Sequence, residues 1–210
     1  MNRRPSLVVM SAALLLAGCD ASQDAAAPSA APAETDLRGA TIGGPFALTD
    51  QDGKQRNWAE FQGRYRIVYF GYTYCPDVCP LDLQRIAQGF RLFEKQAPAR
   101  AAKVQPIFIS VDPERDTPAA LKTYVTAFHP RLIGLTGTEA QIATVAKSFV
   151  TVYSKVTQKN GAYLVSHTRT PILFGPEGAP LVMLPVDDTA TPQAEGTPEQ
   201  IADALDRWVK

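Results

Sequence analysis

Apolar positions along the chain follow two periodicities, one typical of buried strands and the other of amphipathic helices. Continuous runs rich in β-branched and aromatic residues, at 66–70 and 104–111, predict strands covered on both faces. Three- and four-residue spacing with capping signals predicts four helices, at 79–96 and after Thr117, Thr138 and Thr197. Strands and helices therefore alternate, which indicates an α/β fold with a central mixed sheet flanked by helices.

Two hairpins are predicted in addition to this alternation. Asp52-Gly53 lies between two short runs and predicts a hairpin at the N-terminal end of the domain. A strand at 150–155, followed by the Asn160-Gly161 turn, predicts a hairpin inserted before the loop that carries His167. The remaining short strands are expected at 132–135, 172–174 and 181–184.

Residues 1–19 have the pattern of an export signal. A short basic segment precedes an apolar run too short to span a bilayer, and Leu16-Ala17-Gly18-Cys19 resembles the bacterial lipobox. We therefore predict that residues 1–18 are removed and that Cys19 carries lipid; the alternatives are a plain secretory signal and an uncleaved anchor helix. Asp20 resembles the signal that retains lipoproteins at the inner membrane. These features predict a protein of the bacterial cell envelope, on the periplasmic face of that membrane.

Composition divides the rest of the chain into a tether and one domain. Residues 20–38 are almost all small or polar and cannot offset the entropy of ordering, so we predict a disordered tether at 19–38 and a folded domain at 39–210. The polar stretch 187–196 is expected to be a flexible loop of that domain. The chain has 21 basic and 21 acidic residues and no basic stripe, which argues against a nucleic-acid partner.

The stretch YTYCPDVCP places Cys75 and Cys79 between the first buried strand and the helix that follows it. This is the position of the dithiol in the thioredoxin fold, here with CxxxC spacing. Pro80 suits the first helical position and makes Cys79 the predicted N-cap, so the positive end of the helix favours thiolate. The pair could form a structural disulfide, exchange electrons or hold a metal. A purely structural disulfide is disfavoured because so short a loop removes little entropy from the unfolded chain.

His167 is the candidate third ligand, because its predicted loop passes beside the cysteine loop in a thioredoxin-like sheet. Two thiolates and an imidazole suit copper, Cu(I) above all, although zinc accepts the same donors. From spacing alone, a solvated loop histidine is an equally good interpretation. His129 precedes a proline at the end of a predicted helix, where a helix-terminal role is expected.

Two motifs carry a resemblance to a known family. The stretches GYTYCPDVCP (71–80) and SVDPERDTP (110–118) are similar to the two signatures of the Sco (SenC) family of copper chaperones, and His167 falls where that family has its histidine ligand. The resemblance implies a thioredoxin-like fold that binds one copper ion, as Cu(I) or Cu(II), through Cys75, Cys79 and His167. It also implies that Asp77 and Asp112 support these ligands or face a partner.

The same resemblance implies a role in assembling the dinuclear copper centre of cytochrome c oxidase. The implied partners are the oxidase subunit that holds this centre, other periplasmic copper chaperones or thiol oxidoreductases, and the membrane through the lipid anchor. The chain departs from the family at Ser166, where an aspartate usually precedes the histidine, and at Gly175, where an aspartate usually precedes the proline. Loss of a carboxylate that orients a histidine ligand is expected to weaken a metal site.

Three other functions are compatible with the dithiol. The main alternative is a metal-independent thiol–disulfide oxidoreductase that reduces a partner's cysteines. A thiol peroxidase is disfavoured because those enzymes place a threonine three residues before the reactive cysteine, whereas Thr73 is two residues before Cys75. The last alternative is a structural interaction module, for which the cysteines would be dispensable.

Overall fold

The structure, a computed structural model, describes residues 34–186 and 196–210. The predicted signal peptide 1–18, Cys19, most of the predicted tether and all but the last residue of the predicted loop 187–196 lie outside the described residues. No helix in the described ranges is long and apolar enough to cross a membrane.

The described residues form strands and helices that alternate through most of the domain. The strands are β1 (Ala47–Asp50), β2 (Gln55–Asn57), β3 (Tyr65–Gly71), β4 (Val104–Ser110), β5 (Ile133–Thr136), β6 (Tyr153–Thr157), β7 (Tyr163–His167), β8 (Ile172–Phe174) and β9 (Pro180–Met183). The helices are α1 (Val78–Gln96), α2 (Pro98–Ala101), α3 (Pro118–Phe128), α4 (Glu139–Ser148) and α5 (Pro198–Trp208), with a short 3₁₀ helix at Trp58–Phe61.

The main sheet has seven strands in the order β2-β1-β5-β4-β3-β8-β9. Its centre is parallel, because β3 pairs with β4 and β4 with β5 in the same direction. Its edges are antiparallel, through the β1–β2 hairpin on one side and β8–β9 on the other. The predicted central mixed sheet and N-terminal hairpin are confirmed. Strands β6 and β7 form a separate two-stranded sheet, which is the predicted inserted hairpin.

Two apolar layers cover the main sheet. Phe108 of β4 faces a layer made with α1, α3 and α5, whereas Ile107 and Ile109 face a second layer made with α4 and the N-terminal segments. Both layers are dry and aromatic-rich, so β3 and β4 are buried along their whole length, as their apolar runs predict. This places the C-terminal ends of β3 and β4 on a rigid base.

The ordered chain begins before Gly39, where the sequence predicted the domain to start. The Leu37 N–H donates to the Leu181 carbonyl, the Met183 N–H donates to the Thr35 carbonyl, and Leu37 is buried. Residues 35–37 therefore extend the β9 edge of the sheet, although their composition resembles that of the tether. A single apolar residue in a polar stretch gave too weak a signal to predict this.

The strand predicted at 150–155 begins later, at Tyr153. Val150 has a positive φ of 54° and its N–H bonds back to the Lys147 carbonyl, so it completes the end of α4. A β-branched residue rarely adopts this conformation, which is why its strand propensity was misleading here.

Candidate metal centre

The cysteine loop leaves the C-terminal end of β3 and enters α1. Helix α1 begins at Val78 with Asp77 as the flanking residue, so Cys79 is the second helical residue and not the predicted N-cap. Pro80 is accommodated at the third position because N–H groups of the first turn have no partner within the helix. Cys79 is fully buried, whereas Cys75 keeps 9% of its surface exposed at the edge of the site.

Both cysteines are free thiols in this structure, and their pKa values shift in opposite directions. The Cys79 N–H donates to Cys75 Sγ over 3.3 Å. The hydrogen bond from the Cys79 side chain holds the pKa of Cys75 well below its usual range, assisted by the backbone N–H groups of Asp77 and Cys79. The hydrogen-bonded partner Cys75 and burial raise the pKa of Cys79 in turn. Cys75 is therefore the more readily ionised of the two thiols.

His167 is the last residue of β7 and pairs with Tyr153 of β6, so it belongs to the hairpin and not to a loop after it. Its Nε2 lies 3.0 Å from Cys79 Sγ. The ring packs edge-on against Tyr69 and Tyr72, at centroid distances of 6.4 and 5.9 Å. These contacts turn the imidazole toward the cysteines.

A backbone carbonyl sets the tautomer of His167. Nδ1 lies 2.9 Å from the Thr168 carbonyl oxygen, which can only accept a hydrogen bond. A proton is therefore on Nδ1, and Nε2 is the ring nitrogen that faces the sulfurs. Ser166, just before the histidine, is exposed, and the acceptor that orients the ring is the Thr168 carbonyl.

The three donor atoms form the cluster that the sequence predicted. One ligand atom from each of Cys75, Cys79 and His167 lies within 4.8 Å of the other two. Two sulfur donors and one imidazole nitrogen fit a soft ion such as Cu(I) without rearrangement of the backbone. The donor set therefore fits copper.

Asp112 and Asp77 are not among the three clustered donors. Asp112 is fully buried and accepts hydrogen bonds from the Tyr163 hydroxyl at 2.9 Å and from Arg115 Nε at 2.5 Å. It therefore ties β7 to the end of β4. Asp77 is exposed, and its contribution to the site is the backbone N–H that faces Cys75.

Comparison with known proteins identifies this arrangement. The family described as SCO1/SenC matches residues 34–209. The chain belongs to the SCO1/SenC family.

Its relatives include proteins whose structures contain copper. The structure of Bradyrhizobium japonicum ScoI with copper bound is 42% identical, superposes with a TM-score of 0.68, and covers 80% of this chain and 99% of its own. Arabidopsis thaliana ScoI with copper bound is 36% identical, with a TM-score of 0.70 and coverage of 79% and 96%. These neighbours confirm the predicted thioredoxin-like fold.

Curated relatives are longer than the matched region. The mitochondrial SCO2 homolog of Bos taurus is 45% identical over 144 residues, which are 68% of this chain and 53% of that protein. The chain thus spans about half the length of this relative.

Two buried carboxylates of this SCO1/SenC domain were missed in the sequence. Asp82, three residues after Cys79, accepts hydrogen bonds from the Tyr69 hydroxyl at 2.8 Å and from Arg169. Asp116 accepts from the Thr73 N–H, the Thr73 hydroxyl and the Ser110 hydroxyl, and so fixes the cysteine loop against β4. An aspartate beside Leu83, on the apolar face of a helix, is a signal that could have found the first of them.

A cleft of about 450 Å³ opens onto the metal centre. Cys75 and His167 lie at its floor, and its walls include apolar side chains of α1 and of the hairpin, namely Val78, Val156 and Leu164. Val156 and Leu164 are cross-strand partners and both are exposed. The cleft gives a ligand or partner access to Cys75 while Cys79 stays covered.

Proposed function

We propose that this protein binds one copper ion through Cys75, Cys79 and His167 and transfers it to the copper-centre subunit of cytochrome c oxidase. The observation that carries the proposal is the convergence of two sulfurs and one imidazole nitrogen within 4.8 Å of one another. The copper-bound structures of ScoI from two organisms, in the same family, support it.

Each ligand has a distinct part in loading the ion. The Cys75 thiolate is exposed to the cleft and is the first donor that an arriving ion meets. Cys79 loses its proton as the ion binds, because a metal ligand must be the thiolate. His167 completes the set with Nε2, whose lone pair is already free. Copper is the cargo in this proposal, and the protein supplies only three donors. A fourth coordination position is therefore left open.

The redox state of the cysteines controls loading. Formation of a Cys75–Cys79 disulfide removes both sulfur ligands, so only the dithiol form accepts copper. In this proposal the domain is held at the periplasmic face of the inner membrane by lipid on Cys19, after removal of residues 1–18. A periplasmic copper chaperone supplies the ion, and a thiol oxidoreductase keeps the pair reduced.

The direct test is Cu(I) affinity, measured by anaerobic competition on the reduced chain from residue 20 onward. We expect one equivalent, with an affinity that falls by at least about a hundredfold in His167→Ala, because even loss of an outer partner costs ten- to hundredfold. Ser166→Ala is the matched control, since this side chain is exposed and is not one of the three donors, and it should bind as the wild type does. Equal affinities in the wild type and His167→Ala would refute the three-ligand site.

A second function is favoured by the unequal cysteines. The Cys75 thiolate can attack a partner's disulfide, which forms a mixed disulfide and releases one partner thiolate. Cys79, deprotonated, then attacks Cys75 Sγ, forms the intramolecular disulfide and releases the second partner thiol. Two electrons pass to the partner, and neither step uses His167. Two results together would favour this function over the chaperone function. His167→Ala would reduce a peptide disulfide at the wild-type rate, and it would bind copper with the wild-type affinity.

A further inference from the structure

A buried ion pair joins the cysteine helix to the segment that carries His167. Arg169, two residues after His167, donates from Nε to Asp82 Oδ2 at 3.0 Å and from Nη2 to Asp82 Oδ1 at 2.8 Å. Asp82 is 2% exposed and lies on α1, three residues after Cys79. The pair therefore links the helix that carries Cys79 to the segment that follows His167.

The bidentate geometry fixes the direction of the Arg169 side chain as well as its distance. A planar guanidinium that meets a carboxylate with two parallel hydrogen bonds has little rotational freedom. The Tyr69 hydroxyl donates to the same carboxylate at 2.8 Å, so Asp82 is itself held from the sheet side. Because an unpaired buried carboxylate is strongly unfavourable, Asp82 keeps Arg169 at this position.

Thr168, between Arg169 and His167, is held on both sides. Its N–H donates to the Val152 carbonyl at 2.9 Å, and its hydroxyl accepts from the Val152 N–H at 3.1 Å. On its other side the chain is fixed by Arg169. The Thr168 carbonyl that accepts the Nδ1 proton of His167 is thus part of a restrained segment.

We infer that Arg169, anchored by Asp82, is a positioning residue that holds the Thr168 carbonyl and thereby His167 in register with Cys79. The inference rests on the proposed copper site for its effect on affinity. Its effect on the histidine itself is independent of metal.

The test compares Arg169→Met with the wild type in two measurements. In the reduced, metal-free protein, long-range ¹H–¹⁵N spectra of the His167 ring should show the Nδ1–H tautomer for the wild type and a mixture of tautomers for Arg169→Met. Cu(I) affinity should fall by about ten- to hundredfold in Arg169→Met, the range for outer partners of a metal ligand. Arg100→Met removes a more exposed ion pair, with Asp206 of α5, and should change neither quantity.

A double-mutant cycle separates positioning from general damage to the fold. Because Arg169 acts through His167, adding Arg169→Met to His167→Ala should lower Cu(I) affinity less than threefold further. Equal loss in both backgrounds would overturn the inference. Arg169→Lys keeps the charge without the two-point contact, so an affinity and a tautomer equal to wild type in this variant would also overturn it.

The two measurements distinguish failure of this inference from failure of the proposed function. If the wild type binds no copper at the three ligands, the proposed function fails, and the tautomer comparison still decides the role of Arg169. An unchanged tautomer in Arg169→Met, in a protein with wild-type far-ultraviolet circular dichroism, contradicts the inference whatever the copper result. Asp82→Asn provides a second variant and should reproduce the tautomer change, since an amide cannot accept both guanidinium hydrogen bonds.

Discussion

The cysteine loop and the histidine hairpin supply the same site but are built in different ways. Cys75 and Cys79 follow β3, which lies at the centre of the main sheet and is buried over its full length. His167 lies on a two-stranded sheet whose β6 strand is exposed at four of its five residues. Two ligands therefore come from the core, and the third comes from an arm that cannot bury enough apolar surface to hold its own position.

Polar side chains compensate for the weak packing of the arm. The Tyr163 hydroxyl bonds to Asp112, the Val165 N–H bonds to the Tyr72 hydroxyl at 3.2 Å, and Arg169 bonds to Asp82. Each of these contacts joins the hairpin to a residue of the main domain. We therefore expect the affinity for a metal at this site to depend on a few hydrogen bonds more than on the stability of the core.

The largest effect on stability is expected on the core side, at Asp116. Asp116→Ala leaves the Thr73 N–H, the Thr73 hydroxyl and the Ser110 hydroxyl without their acceptor. The free energy of unfolding should fall by about 3 kcal/mol, since hydrogen bonds to charged groups contribute about 1.5–3 kcal/mol each and lost partners are not fully additive. Urea denaturation measures this change, and a loss below about 1 kcal/mol would show that the loop is held by other contacts.

A change at Tyr163 is expected to lower the free energy of unfolding less, but to loosen the hairpin that carries His167. Tyr163→Phe removes the hydroxyl that binds Asp112, at a cost of about 1 kcal/mol or less, because the partner Asp112 keeps its bond to Arg115. Hydrogen exchange should rise in β6 and β7 and stay unchanged in β3 and β4. Faster exchange in both sheets would mean that the hairpin and the core open together.

The smallest effect on stability is expected at His129. His129 is buried, and burial lowers its pKa despite the opposing carboxylate of Glu94 at 3.2 Å. The unfolded chain then binds a proton at a higher pH than the folded chain, so this group lowers stability as the pH falls through and below about 6.5. His129→Gln should flatten the decline between pH 7.5 and 5.5 in thermal unfolding, relative to wild type. Parallel declines would contradict this account.

The two cysteine ligands, on the core side of the site, and much of the fold could be predicted from the sequence. Apolar runs dictated β3 and β4, and the spacing of Cys75 and Cys79 before an amphipathic pattern placed the dithiol at a helix start. The hydrophobic effect acts through such local patterns, and these are visible in one chain. The error at Cys79 was one of helix boundary, because the proline fits more than one position of a first turn.

The arm-side half could not be predicted in the same way. His167 was expected in a loop because Tyr163 to His167 has only weak strand patterning, with Val165 as its one buried residue. The contacts that hold it, such as Arg169 with Asp82, join residues 87 positions apart. Periodicity does not report pairings of single polar residues over such a distance, so the fold position made His167 only one of two equal interpretations and the resemblance decided for the third ligand.

The most direct test is X-ray absorption at the copper edge, on the reduced chain loaded with one equivalent of Cu(I). It measures whether the two cysteines of the core side and His167 of the hairpin bind the same ion. We predict a nearest shell of two sulfurs and one nitrogen. His167→Ala should lose the nitrogen, and His129→Gln should keep it. A shell of two sulfurs alone in the wild type, or a nitrogen that persists in His167→Ala, would contradict the three-ligand copper site.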